Sequence, residues 1–378
     1  MMSAQFEIMV IAAIVAAACA LPGVFLVLRG MALMSDAISH AVLLGVVVSF
    51  FWIQDLHSPL LMVGASLAGI LTIALTELLV QSKRLKQDAA IGLVFPVFFS
   101  LGVILISRYA GNIHLDTDAV LLGELAFAPF HRLTAFGFDI GPYAMWTMGI
   151  VLLINSLFVS IFYKELKLVT FDSSLASALG FYPVVLHYLL MTLTSITAVG
   201  AFDAVGSILV VALMITPAAC AYLLTERLST MIGLSVGIGI FSAVSGFGLA
   251  TALDASIAGS MATMCGVLFT LILIFSPGRG LLMKLLKARS QRLLFASRLL
   301  CVQLFSHENQ PDSDEEATID NMIIHMGWKA TFAKRVSQLA VQKELIFRQG
   351  RLMHLTPLGR ETAKVIMLNC KMPDTSSL

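Results

Sequence analysis

The sequence predicts an all-α polytopic membrane protein followed by a small soluble α+β domain, and two observations carry that reading. The 378 residues are 58% hydrophobic and only 12% charged, where soluble domains are about a quarter charged. The charge is also unevenly placed: of the 47 Asp, Glu, Lys and Arg residues, 24 fall in the first 280 positions and 23 in the last 98. The first region reads as membrane-embedded and the second as soluble. This balance excludes a disordered chain, a secreted disulfide scaffold and most soluble enzymes. The cysteines (Cys19, Cys220, Cys265, Cys301, Cys370) are isolated and form no Cys-x-x-Cys pair, which suggests neither a disulfide frame nor a thiolate metal site.

Apolar runs long enough to cross a bilayer lie near 7–28, 38–54, 60–80, 89–107, 143–163, 183–201, 204–224, 230–252 and 257–276. Nine spans are preferred, and the shortness of the second run leaves eight open. The first run has no basic segment before it, so it reads as a retained helix and not a signal peptide. Basic residues favour cytoplasmic connections. Taking 81–88 (Lys83, Arg84, Lys86) as cytoplasmic adds Arg29, Lys164, Lys167, Arg227 and Arg279 to that side. The outer side then has only Arg108 and Arg132 against Asp55, Asp116, Asp118, Glu124, Asp139, Asp203 and Asp254. The N-terminus is expected outside, and everything from 277 onward is expected in the cytoplasm.

Small residues recur within spans, as at Gly64, Ala65, Ala68 and Gly69, or Gly233, Gly237 and Gly239. In lipid, close backbone approach at small side chains drives helix association, so a tightly packed bundle is expected over 1–280. Residues 281–316 read as a basic helix (Lys284, Lys287, Arg289, Arg292, Arg298) and a polar linker. Over 317–378 the pattern is helix at 317–327, helix at 330–344, two short strands around Gln349 and Gly350, then helix at 357–369. That order is a winged helix-turn-helix.

The sharpest feature of the membrane part is Arg29-Gly-Met-Ala-Leu-Met-Ser-Asp36-Ala-Ile-Ser-His40-Ala-Val-Leu-Leu-Gly45. Asp36 and His40 are four apart and share a helix face. Ionisable groups inside a membrane segment are costly and usually mark a pathway. An imidazole nitrogen with a carboxylate oxygen makes half of a first-row divalent metal site. From spacing alone the alternative stays open: Ser35 or Asp36 caps the helix start, and His40 is a packed polar residue. Methionine is abundant but scattered through apolar runs, which favours packing over a soft-metal relay.

Five ordered stretches resemble the permease subunits of ABC importers for manganese, zinc and iron, over about residues 7–280. They are Gly23-Val-Phe-Leu-Val-Leu-Arg29 running on to Asp36 and His40; Asp88-Ala-Ala-Ile-Gly92; Leu121-Leu-Gly-Glu124; Phe171-Asp-Ser-Ser-Leu-Ala-Ser-Ala-Leu-Gly180; and Val205-Gly-Ser-Ile-Leu-Val-Val-Ala-Leu-Met-Ile-Thr-Pro-Ala-Ala219. The resemblance implies that Asp36 and His40 coordinate metal in the translocation pathway. It also implies that Phe171, Asp172, Ala176 and Gly180 belong to a short cytoplasmic helix pushing against an ATPase. There Asp172 would cap the helix and Gly180 would stop it.

His114, Asp116 and Asp118 are weaker candidates, outer-loop groups able to draw in a cation or simply solvated charge. Glu124 has a gating or a structural role. The tail's Leu355-Thr-Pro-Leu-Gly-Arg-Glu-Thr-Ala363 is similar to the wing end of iron- and manganese-dependent repressors. Lys334 and Arg335 on the recognition helix, with Arg348 and Arg351 on the wing, would suit phosphates. The dimerisation and regulatory metal-binding parts of such repressors have no counterpart, so DNA contact is expected to be weak.

The leading expectation is a permease subunit in the bacterial inner membrane that moves Mn, Zn or Fe and holds no permanent cofactor. No phosphate-cradling Gly-x-x-x-x-Gly-Lys-Ser/Thr is present, so ATP hydrolysis would fall to a separate ATPase subunit. Further partners implied are an extracytoplasmic metal-binding protein and a second permease, identical or paralogous, with the pathway between the two. The competing expectation is a membrane-bound metal-responsive regulator acting through the winged helix. An intramembrane hydrolase finds no His-Glu-x-x-His and no paired aspartates to support it.

Overall fold

The computed structural model describes residues 4–54, 60–109, 125–135, 138–308, 318, 323, 325–350 and 352–371. It divides into two compact units, Met1–Gly280 and Leu281–Leu378. In the first, nine helices among the described residues are long and apolar enough to cross a membrane: α1 (Ala4–Leu28), α2 (Leu33–Ile53), α3 (Leu60–Gln81), α4 (Gln87–Tyr109), α5 (Tyr143–Ile161), α8 (Pro183–Val205), α9 (Ser207–Leu224), α10 (Leu228–Leu253) and α11 (Ile257–Phe275). Between α5 and α8 lie two short helices, α6 (Tyr163–Phe171) and α7 (Ser173–Ala178).

The hub is α1, which packs on α5, α8, α9 and α10. Ile11, Val15, Ala16, Ala18, Cys19, Val24, Phe25 and Leu26 are fully buried, as expected of a helix that is apolar on every side. A Cβ on Gly23 would overlap the carbonyl oxygen of Met214 on α9, so the close approach of those two backbones requires glycine. Pro22 lies inside α1 and has no N–H to give the carbonyl of Ala18, four residues back. Asn155 of α5 supplies the missing donor: its Nδ2 donates to Ala18 O at 3.1 Å and to Thr197 Oγ1 of α8 at 2.8 Å. In hydrocarbon an orphaned carbonyl costs several kcal/mol, so this side chain repairs α1 from outside.

A second group is formed by α2, α3 and α4, with α2 and α3 also touching α8. Toward their surroundings α3 and α4 expose Leu67, Leu71, Leu78, Leu93, Val97 and Leu101, the composition a lipid-facing surface needs. Helix α2 starts five residues before the apolar run at 38–54, so Asp36 and His40 both lie within it. A further departure is a hairpin before α5, β1 (Arg132–Ala135) with β2 (Phe138–Pro142), where only a connection was expected. Its Arg132 Nη2 donates to Glu7 Oε1 at 2.7 Å, giving a partner to a carboxylate that α1 otherwise buries.

The second unit contains α12 (Leu281–His307), α13 (Ala330–Gln342), the antiparallel strands β3 (Ile346–Gln349) and β4 (Leu352–Leu355), and α14 (Pro357–Lys371). Gly350 takes a positive φ of 67° at the turn, the left-handed region that glycine enters without steric cost. Thr318 makes an isolated antiparallel bridge to Leu352. Leu300, Cys301, Val336, Ala340, Ile346, Met353, Leu355 and Ala363 form a core of the unit's own. Most of the expected helix at 317–327 lies outside the described residues.

Candidate functional site

Helix α1 ends in a Schellman turn: Gly30 N donates to Val27 O at 3.2 Å and Met31 N to Leu26 O at 2.8 Å. Gly30 adopts φ of 69°, as the C′ position of that motif requires. The chain reverses at once into α2, whose N-cap is Ala32, with no side-chain cap. Asp36 therefore sits inside the helix and does not cap it. Its Oδ1 lies 3.4 Å from His40 Nε2, one turn on, with the two side chains 41% and 30% exposed. The His40 ring stacks on Phe95 of α4, centroids 5.6 Å apart, and meets Phe99 edge-on at 5.6 Å. These rings fix the imidazole against α4 while its Nε2 edge stays beside the carboxylate.

The pair offers one nitrogen and one oxygen. Among the described residues no third His, Cys, Asp or Glu gathers with them. A first-row divalent ion takes four or more such ligands, and among the described residues this pair offers two donor atoms of suitable type.

At α7 the other predicted group comes together. Asp172 is the N-cap, its Oδ1 accepting from Leu175 N at 2.9 Å. Gly180 N donates to Ser177 O at 3.1 Å and Phe181 N to Ala176 O at 3.0 Å, a second Schellman closure, with φ of 86° at Gly180. Six residues are too few to hold a helix by propensity, and caps at both ends supply what length does not. Ala176 is buried, while Leu175 of the helix and Phe171, Leu179 and Tyr182 of the flanking chain are exposed, so the capped helix and its flanks present apolar side chains outward.

His114, Asp116, Asp118 and Glu124 lie outside the described residues. In the second unit Lys334 and Arg335 of α13 and Arg348 of β3 are exposed; Arg351 lies outside the described residues.

A polar cluster escaped the sequence reading. Arg29 Nε and Nη2 donate to Thr170 Oγ1 of α6, each at 3.3 Å, and Nη1 donates to His187 Nδ1 of α8 at 3.1 Å. His187 Nε2 lies 3.2 Å from Glu77 Oε2 of α3. Burial lowers the Arg29 pKa, although a guanidinium stays charged at any physiological pH. Glu77 and His187 were visible as ionisable residues within spans, the signal that singles out such positions, but nothing local pairs them.

Comparison with known proteins agrees with this architecture. Residues 1–276 match the family model described as ABC 3 transport family. The chain is 47% identical over 358 residues to the zinc transport system membrane protein TroD of Treponema pallidum, covering 95% of this chain and 97% of that one. It is 47% identical over 285 residues to the manganese transport system membrane protein MntD of Bacillus subtilis, covering 75% of this chain and 96% of the relative. The chelated iron transport system membrane protein YfeC of Yersinia pestis is 31% identical over 282 residues, 75% of this chain and 90% of that one. Among solved structures, PsaBC from Streptococcus pneumoniae in complex with Fab superposes with a TM-score of 0.61 at 32% identity, over 74% of this chain and 94% of that chain.

Proposed function

This chain belongs to the ABC 3 transport family, and on that premise we propose that it is the membrane permease of an ABC importer for a divalent metal, zinc, manganese or iron. Relatives named for each of these metals support the class without ranking its members. The observation that carries the mechanism is the Asp36–His40 pair inside α2. Two copies of that pair, one from each of two permeases, make a set of two nitrogens and two oxygens, which suits these ions and disfavours copper(I). The second permease is a copy of this chain or a paralogue.

Metal handed over by an extracytoplasmic binding protein would pass between the two permeases in the bacterial inner membrane. ATP would be hydrolysed by a separate subunit docked at α7, where Leu175, with Phe171 and Leu179 on either side of the helix, offers an apolar contact. His114, Asp116, Asp118 and Glu124 would draw metal toward the outer mouth. The second unit is read as a cytoplasmic winged helix serving protein contact or regulation. Any phosphate contacts through Lys334, Arg335, Arg348 and Arg351 would be salt-sensitive and weak. The family match supports transport over the regulator reading, because it spans the bundle and its pathway residues.

Uptake of zinc, manganese and iron by the full complex in vesicles, each metal competed against the others, tests this. Energised uptake of one or more, inhibited by the rest, is expected. ATP hydrolysis with no metal crossing would overturn it.

A further inference from the structure

Arg29 lies within one of the stretches that resemble the family, yet neither the metal pair nor the α7 surface uses it. It stands at the C-terminal turn of α1, where unsatisfied carbonyls favour a cation. An arginine can only donate, so its contact with His187 makes Nδ1 the acceptor and leaves the ring proton on Nε2. Nε2 lies 3.2 Å from Glu77 Oε2, and a neutral imidazole thus stands between a guanidinium and a carboxylate. Glu77 Oε2 is buried and has no well-aligned hydrogen bond, so charge and proximity hold it more than hydrogen-bond geometry does. Divalent metal is disfavoured there, because a guanidinium already occupies the Nδ1 edge of the ring and repels a second cation.

The cluster joins four elements: the end of α1, the last turn of α3, the last turn of α6 and the first turn of α8. Helix α6 needs such a tie. Only Leu166 and Val169 of its residues are buried, and α7, one residue further on, buries only Ala176. Thr170 is two residues from the Asp172 cap, so whatever grips Thr170 sets where α7 begins. We infer that Arg29, His187, Glu77 and Thr170 form a latch that positions α6 and α7 on the ends of α1, α3 and α8. Its role in transport rests on the reading that α7 carries the ATPase contact. In that role the latch converts a push on α7 into movement of α1 and the α2 that follows it by a four-residue turn.

The test uses the full chain, alone in lipid nanodiscs and assembled with its ATPase subunit in vesicles. Thr170→Val keeps the shape and removes the hydroxyl; Glu77→Gln keeps the shape and removes the charge. On the chain alone, amide exchange over residues 163–180 should speed up about tenfold in Thr170→Val, which removes the acceptor of both Arg29 hydrogen bonds, with α10 unchanged. In the complex, metal moved per ATP hydrolysed should fall about tenfold while ATP turnover stays within about twofold, and Arg29→Lys should restore part of what Arg29→Ala loses. Unchanged exchange over 163–180 in both Thr170→Val and Glu77→Gln would overturn the latch. So would uptake and ATP turnover falling in parallel, which is the signature of simple misfolding. If the unmutated complex moves no metal, the transport reading fails, whereas the exchange measurement still decides the latch.

Discussion

The two units are stabilised by opposite means. In the membrane unit the surroundings are as apolar as the core, so specificity comes from close backbone contact, as at Gly23, and from polar repairs such as Asn155. In the second unit a small core around Leu300, Val336 and Ile346 is built by apolar burial. Their relatives separate them too. The Treponema match covers 95% of this chain and so takes in most of residues 281–378, whereas the Bacillus match covers 75% of this chain but 96% of its own partner. The 285 residues aligned with the Bacillus relative are close in number to the first unit, Met1–Gly280.

Changes that separate the two units sharpen the comparison. The largest effect is expected at the pathway. Asp36→Ala or His40→Ala should cut metal uptake at least about a hundredfold, since even outer-shell changes at metal sites cost 10–100-fold, while membrane insertion and folding of the second unit remain. Uptake at the unmutated rate from either variant would remove the site. Next comes Asn155→Leu, which leaves the Ala18 carbonyl buried without a donor and should destabilise the membrane unit by about 1–3 kcal/mol. Thermal unfolding in detergent should show the membrane transition lowered and that of the second unit unmoved; a shift in both would mean that the units unfold together. Asp172→Ala should weaken α7 by about 0.5–2 kcal/mol, read as faster amide exchange over 173–180.

The smallest effect belongs to the second unit. Burial pushes the Cys301 thiol up to about 11 from the 9.0 of an exposed thiol. The fold thus favours the protonated form, and that contribution is complete below pH 9. It fades as pH rises from about 9 toward 11, where the unfolded chain releases a proton that the folded one keeps. Melting of the second unit should therefore fall modestly across that window, and Cys301→Ala should flatten the fall. An equal slope in Cys301→Ala would assign it to other groups.

The membrane architecture was largely legible because long apolar runs are a local signal. The start of α2 at Leu33 precedes its apolar run for the same reason: Ser35 and Asp36 depress the hydropathy of a turn that tertiary packing nevertheless keeps helical. The i, i+4 relation of Asp36 and His40 and the caps of α7 were readable as short-range chemistry. The rings of Phe95 and Phe99 were not, because they depend on the register of α4 against α2. Arg29, Glu77, Thr170 and His187 are spread over 158 residues of sequence, and no periodicity reports a meeting of that range. The hairpin of β1 and β2 was hidden by strands of four and five residues, too short for alternation to register.

The carbonyl freed by Pro22 has a mechanical consequence. A proline inside a spanning helix ordinarily leaves a soft point at which the rod can flex. Here the slack is taken up by a side chain from a neighbour, which is itself anchored on a third helix through Thr197. Bending α1 at that point would strain its bond to Asn155, which is itself held by Thr197 of α8, so this contact ties α1 to α5 and α8 at the proline. The contacts of α2 and α3 with α8 lie outside that tie, so a spectroscopic ruler laid across them should report larger distance changes than one laid along α1.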